Sequence, residues 1–186
     1  MKSRMEEIYA ALLEEVGEDP DREGLLKTPH RAAQAMRFVT EGYKQNLDEI
    51  VNGAIFHESS DDMVLTRGIE FYSLCEHHLF PFFGQVSIAY IPDGRIIGLS
   101  KLARITDMFA RRLQVQERMT IEIANAIGTV LQPKGVAVVV EGKHLCMMAR
   151  GVEKQASDMV TSHFLGAFRT DRTARAECMA MLARSR

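Results

Sequence analysis

Residues 64–94 read VLTRGIEFYSLCEHHLFPFFGQVSIAYIPDG, and this stretch decides the fold. Residues 64–74 read as a strand. After a short interruption, Val86, Ile88 and Tyr90 alternate with Gln85, Ser87 and Ala89. That period of two marks a half-buried strand, and Pro92-Asp93-Gly94 ends it with turn chemistry. No helical run separates the two strands. Strands that follow one another directly pair antiparallel, which points to an α+β fold.

Working outward, the flanks are helical. Ser100 is positioned to cap a helix that runs to about residue 112. A longer helix follows, with Val115, Met119, Ile123, Ile127 and Val130 on one face. Residues 135–141 form an apolar run suited to a strand buried on both sides. Residues 159–165 read as a further strand, and a last helix starts near Thr170. Towards the start, Met5, Ile8, Leu12, Leu13 and Val16 recur at helical spacing until Gly17. A second helix is predicted with Thr28 as N-cap and Pro29 in its first turn. Ala32, Ala35, Met36 and Val39 would line its buried face. The reading is one folded unit, with residues 1–52 as an N-terminal helical segment and residues 53–186 as the main domain.

The chain has 186 residues, 46% apolar and 26% charged, with a net charge of -2. That balance excludes a disordered chain and a nucleic-acid binder working through bulk positive charge. No apolar run approaches the ~20 residues a membrane helix needs. Glu6 and Glu7 stand where a signal peptide would carry its apolar core, so the expected location is cytoplasmic. Three cysteines do not make a disulfide framework.

The sharpest chemical feature is Cys75-Glu76-His77-His78, followed far along the chain by His144-Leu145-Cys146. Cysteine and histidine are the favoured zinc ligands. A Cys-x-x-His pair lets one tight turn offer a thiolate and an imidazole to one ion, and Cys146 can supply a third ligand. Three protein ligands leave a place for water, as catalytic zinc sites do. Spacing alone leaves open which of His77 and His78 binds the metal. The remaining histidine and His144 suit proton transfer. Cys178 lies with Ala174, Met181 and Leu182 on an apolar helix face and reads as a core thiol.

Gly98-Leu99-Ser100-Lys101 opens a helix, and helix starts attract anions. Lys101, Arg104 and Arg111 form a basic stripe that could meet a polyphosphate, or simply face water. There is no P-loop. Arg150 follows Cys146 closely enough to be a second cation beside the metal. Physics alone leaves Glu117 as a solvated acid in a first helical turn and Arg31 as a surface residue.

Several motifs in order resemble the GTP cyclohydrolase I family. They are Thr28-Pro29-His30-Arg31, Cys75-Glu76-His77-His78, Tyr90-Ile91-Pro92, residues 98–104 (GLSKLAR), residues 114–118 (QVQER), His144-x-Cys146-x-x-x-Arg150-Gly151 and Thr161-Ser162. The resemblance covers nearly the whole chain. It implies conversion of GTP and water to 7,8-dihydroneopterin triphosphate and formate, the first step towards tetrahydrofolate and other pterins. By this match Cys75, His78 and Cys146 are the zinc ligands, and activated water attacks carbon 8 of guanine. His77 and His144 handle protons, and Glu117 with Gln116 holds the pyrimidine edge of guanine. Ser100 sits by the ribose, while Lys101, Arg104, Arg150 and Arg31 bind the triphosphate.

The resemblance also implies the tunnelling fold, an antiparallel sheet with helices packed on one face. It implies a homodecamer of two stacked pentamers with sites between subunits, so that Arg31 can serve a neighbour. Leu113 departs from the proline found in many relatives. A catalytically inactive pterin- or nucleotide-binding subunit of the same fold is the alternative. It would be expected to lack a proton-transfer histidine, and both His77 and His144 are present.

Overall fold

The two runs of the opening stretch pair into a long hairpin, and the rest of the sheet grows from it. The computed structural model describes residues 2–183. In chain order the elements are α1 (Arg4–Glu15), α2 (Thr28–Val39), a 3-10 turn (Glu41–Lys44), α3 (Leu47–Val51), β1 (Ile55–His57), β2 (Val64–Cys75), β3 (Pro81–Ile91) and β4 (Arg95–Ile97). There follow α4 (Leu99–Ala110), β5 (Leu113–Gln114), α5 (Gln116–Leu131), β6 (Gly135–His144), α6 (Leu145–Met148), β7 (Met159–Gly166), α7 (Ala167–Thr170) and α8 (Arg172–Ala183). The chain divides into two compact units between Glu41 and Gly42.

In the first unit, α1 and α2 pack together. Ser3 and Glu6 form a capping box at the start of α1. His30 Nδ1 lies 3.1 Å from Glu6 Oε1, and Arg37 donates to the Ser3 hydroxyl at 2.6 Å. Helix α2 starts one residue earlier than the motif predicts. Its N-cap is Lys27, and the Thr28 hydroxyl donates instead to the Gly24 carbonyl. Ala33, not Ala35, is its buried residue.

In the second unit a five-stranded sheet runs β5-β2-β3-β6-β7. The β2–β3, β3–β6 and β6–β7 pairs are antiparallel, and the two-residue β5 adds a parallel edge at Leu74 and Cys75. Strands β1 and β4 make a separate antiparallel pair.

Alternation decides which side chains meet the helices. Val86, Ile88 and Tyr90 of β3 and Val136, Val138 and Val140 of β6 face the same core as Leu102 and Ile105 of α4 and Met119, Ile123 and Ile127 of α5. Each such fully buried side chain contributes roughly 1.5–3 kcal/mol relative to exposure. The antiparallel α+β plan of the sequence reading is present, with α4 and α5 on this face. The C-terminal segment adds a smaller layer behind it. The cross-strand pair Ala89 and Ala137 is small enough to admit Phe168 of α7 and Cys178 of α8. Cys178 is a buried core thiol.

Several boundaries differ from the sequence reading, for local reasons. Ser100 does not cap α4. The β1–β4 pairing carries the chain to Ile97, so the helix starts at once, with Gly98 as N-cap and the Lys101 N–H on the Gly98 carbonyl at 2.8 Å. Val115 is the extended N-cap of α5 instead of a member of its buried face. Strand β6 runs on past residue 141 to His144, because β3 continues beside it to Phe82.

Candidate metal centre

Strands β2, β3 and β6 deliver the chemistry to one end of the sheet. Cys75 ends β2, and residues 76–80 turn the chain into β3. The Leu79 N–H bonds the Cys75 carbonyl at 3.0 Å, and the Cys75 N–H bonds the Phe80 carbonyl at 2.8 Å. Leu79 takes a left-handed φ of 55° to close this turn. Phe82 of β3 pairs with His144 at the end of β6, and the next turn, α6, carries Cys146.

The turn therefore brings Cys75, His78 and Cys146 together, with their ligand atoms all within 4.8 Å of one another. Cys75 Sγ lies 3.8 Å from His78 Nδ1. A tetrahedral ion with metal–sulfur bonds of about 2.3 Å and metal–nitrogen bonds of about 2.0–2.1 Å holds such atoms roughly 3.5–3.8 Å apart. The donor set and its spacing fit a metal ion of zinc's preferences. Electrostatics agrees. Burial, and then the neighbouring Cys75 thiol, push the Cys146 thiol above its ordinary value. A bound cation offsets both effects by stabilising the thiolates.

His77 lies on the same turn and is not one of the clustered residues. Its ring is exposed and 6.2 Å from that of His78. His144 is half-buried and stacked flat on Phe82, with ring centroids 4.6 Å apart and planes within 4°. Burial holds its pKa below the ordinary value, and the Glu117 carboxylate works in the opposite direction. His144 Nε2 lies 2.9 Å from Gln116 Oε1. Arg150 curls back over α6, with its guanidinium 3.5 Å from the Cys146 carbonyl.

A family model for GTP cyclohydrolase I matches residues 5–183. The chain belongs to the GTP cyclohydrolase I family. It is 56% identical over 184 residues to GTP cyclohydrolase 1 of Methylococcus capsulatus, covering 99% of this chain and 100% of that one. It is 57% identical over 178 residues to GTP cyclohydrolase 1 of Leptospira biflexa, covering 96% and 97%. A Pseudomonas aeruginosa relative named GTP cyclohydrolase 1 1 matches at 56% over 186 residues, 100% of both chains.

The family motifs fall into distinct places. Glu117 is exposed in the first turn of α5, and Ser100 is exposed in the first turn of α4. The Lys101 ammonium donates to the Ile50 carbonyl at 2.8 Å. Arg104 and Arg111 line a cleft of about 380 Å³ with Lys44, Asn46 and Glu49, and no metal ligand lines that cleft. Arg31 is an exposed residue of α2 in the first unit.

Gln116 differs most from the role the resemblance implies. Its side chain is 1% exposed and faces the sheet. The amide nitrogen meets the Val140 carbonyl at 3.1 Å, the Met159 carbonyl at 2.9 Å and the Thr161 hydroxyl at 3.2 Å. The Leu113 N–H donates to the Tyr43 hydroxyl at 3.1 Å, and the carbonyl of the next residue, Gln114, accepts from the Glu76 N–H at 3.0 Å. The turn between α4 and α5 is tied without proline.

Phe82, Thr161 and Gly142 complete the surroundings of His144 and Gln116, and sequence reasoning gave none of them that part. Thr161 carried only a family motif. The signal in the sequence was the alternation of β3 and β6, which sets Phe82 opposite His144 once their register is known.

Proposed function

We propose that this chain hydrolyses the imidazole ring of GTP, giving 7,8-dihydroneopterin triphosphate and formate for tetrahydrofolate or other pterin synthesis. The observation that carries the reading is the Cys75, His78 and Cys146 cluster, three soft and borderline donors, with His144 two residues before Cys146 and stacked on Phe82. A zinc ion at this cluster would supply a Lewis acid and lower the pKa of bound water towards about 7.

The protein's own groups do the rest. The Glu117 carboxylate accepts hydrogen bonds from the guanine edge, as a carboxylate with several lone pairs can. His144 and His77 carry protons as the ring opens and formate leaves. Ser100 meets the ribose. Lys101, Arg104 and Arg150 bind the triphosphate, and Lys101 exchanges its bond to the Ile50 carbonyl for a phosphate oxygen.

Arg31 completes a neighbouring subunit's site in a homodecamer of two stacked pentamers. Residues 1–52 then serve as a helical segment ahead of a catalytic domain at 53–186. The assembly works in the cytoplasm, and no helix among the described residues is long and apolar enough to cross a membrane.

The test is to incubate purified protein with GTP and follow formate together with oxidised neopterin fluorescence, with and without a chelator. Both products, lost on chelation and regained with zinc, are the expected result. Neither product from a folded, zinc-loaded oligomer would overturn the reading.

A further inference from the structure

Gln116 is buried beside His144, and each polar atom of its side chain has a defined partner. The order of those partners fixes protons. The Val140 and Met159 carbonyls can only accept hydrogen bonds, so the side-chain atom facing them must be the NH₂ nitrogen. The remaining amide atom, Oε1, can only accept. It lies 2.9 Å from His144 Nε2. Nε2 must therefore carry the proton, and in the neutral ring Nδ1 holds the lone pair.

The hydroxyls around the amide agree with this direction. The Thr120 hydroxyl is 2.7 Å from the Gln116 backbone carbonyl, which only accepts. With that donor spent, Thr161 donates across the 2.7 Å Thr120–Thr161 contact and accepts from the Gln116 nitrogen. The two amide hydrogens then face three acceptors, the Val140 and Met159 carbonyls and the Thr161 hydroxyl, and reversing the amide would face its oxygen against two carbonyls.

Gly142 supplies the room. A Cβ on residue 142 would stand 2.4 Å from Gln116 Oε1 and 3.3 Å from its Cδ, with Phe71 at 3.6 Å. The bare glycine is where the acceptor oxygen sits. Phe82 fixes the plane of the His144 ring. With plane and proton both fixed, the Nδ1 lone pair has one direction.

We infer that Gln116 is a positioning residue: its side-chain oxygen, seated against Gly142, holds His144 as the Nε2–H tautomer and leaves Nδ1 as the ring's open acceptor. This rests on the reading of His144 as a proton carrier in GTP hydrolysis. It gives the Gln116 side chain work on the enzyme's own histidine instead of on guanine.

Two variants test it by different routes in the full-length, zinc-loaded protein. Gln116→Met removes the acceptor. Gly142→Ala keeps the glutamine and displaces its oxygen. Histidine-labelled nitrogen NMR of sedimented protein, with the His144 signals assigned by their loss in His144→Ala, reads the tautomer directly. The wild type is expected to show Nε2 protonated and Nδ1 bare, and each variant a mixture. For turnover, kcat is expected to fall roughly 10–100-fold, as for a misplaced proton carrier, while KM for GTP stays within about threefold.

A wild-type His144 protonated at Nδ1, or a tautomer unchanged in both variants, would overturn the inference. So would a large rise in KM with kcat unchanged, the signature of a lost guanine contact. If Gln116→Met does not fold, Gly142→Ala decides alone. If the wild type proves unable to turn over GTP, the proposed activity fails and the NMR result still judges the tautomer.

Discussion

Arg118 grips Glu76 with both arms of its guanidinium, Nη1 to Oε2 at 2.7 Å and Nη2 to Oε1 at 3.0 Å. The pair ties the first turn of α5 to the turn that carries His77 and His78. Planar, bidentate pairing of this kind fixes direction as well as distance. The helix that presents Gln116 and Glu117 is thereby held against the metal-binding turn. Arg118→Ala is expected to leave the fold intact and to loosen that turn. Release of zinc to a chelator should then quicken, by less than about tenfold, since the pair touches no ligand directly. An unchanged release rate would mean that the backbone bonds of Leu79 and Cys75 hold the turn without help.

The same pair has a pH signature. Hydrogen bonding to Arg118 holds the Glu76 carboxyl below the ordinary value of 4.5. A carboxyl with a lowered folded-state pKa contributes stability that is present above its unfolded value and lost as pH falls through the folded one. In metal-free protein, the stability difference between wild type and Glu76→Gln should be level from neutral pH down to about 4.5 and shrink below it. The pair is solvent-exposed, so the difference should be small and weaken with added salt. Denaturant midpoints at several pH values check both points.

Cys75, His78 and Cys146 are expected to act as a unit. Cys75→Ala or Cys146→Ala removes one of the three clustered donors. Metal content is expected to fall towards zero, with turnover down more than about 100-fold. His144→Ala should separate the two properties. It should retain the metal and lose roughly 10²–10⁴ in rate, the range for a missing proton-transfer group. Metal analysis beside GTP turnover reads the contrast, and a nearly unchanged rate in His144→Ala would remove that residue from the chemistry.

What the sequence could tell follows from which constraints are local. The strands were legible because sheet geometry repeats every two residues, as Val86, Ile88 and Tyr90 do. The metal cluster was legible because few side chains bind a soft ion, and Cys75-x-x-His78 needs only one turn. Strand β5 was not legible, since two residues carry no period and its place depends on β2. Nor was the inward aim of Gln116, because a first-turn side chain can face water or sheet. Only the closeness of Val140 and Met159 decides it. The placement of Phe168 and Cys178 behind the sheet turns on two alanines being cross-strand partners, a matter of register. Glu117 and Arg31 acquire roles only through the family resemblance.

Gly84 of β3 leaves no room for a side chain against β6. A Cβ there would stand 1.9 Å from the Glu141 carbonyl oxygen, a backbone atom that cannot swing aside. Gly84→Ala must therefore part β3 from β6, where Gly84 pairs with Gly142. A loss of about 1–3 kcal/mol is expected from such overpacking. Because Gly142 lies beside Gln116 Oε1, turnover should fall by more than the unfolded fraction accounts for. Urea unfolding together with kcat per folded subunit tests the link. A stability loss with normal kcat would show that strain at Gly84 stops short of the site.

Phe82 joins core and chemistry in one ring. It is fully buried, meets Phe71 edge-on at 5.7 Å and 70°, and lies flat against His144. Phe82→Leu keeps the site apolar and removes the flat surface. The lost aromatic contacts should cost about 1–3 kcal/mol of stability. The His144 ring is then free to tilt about its bond to Gln116, so kcat should fall by roughly tenfold while the Nε2–H tautomer persists. That combination separates Phe82, which sets the plane of the ring, from Gln116, which sets its proton. Nitrogen NMR and steady-state kinetics on the one variant read both. Loss of the tautomer in Phe82→Leu would mean that the stacked ring, and not the amide alone, keeps His144 within reach of Gln116.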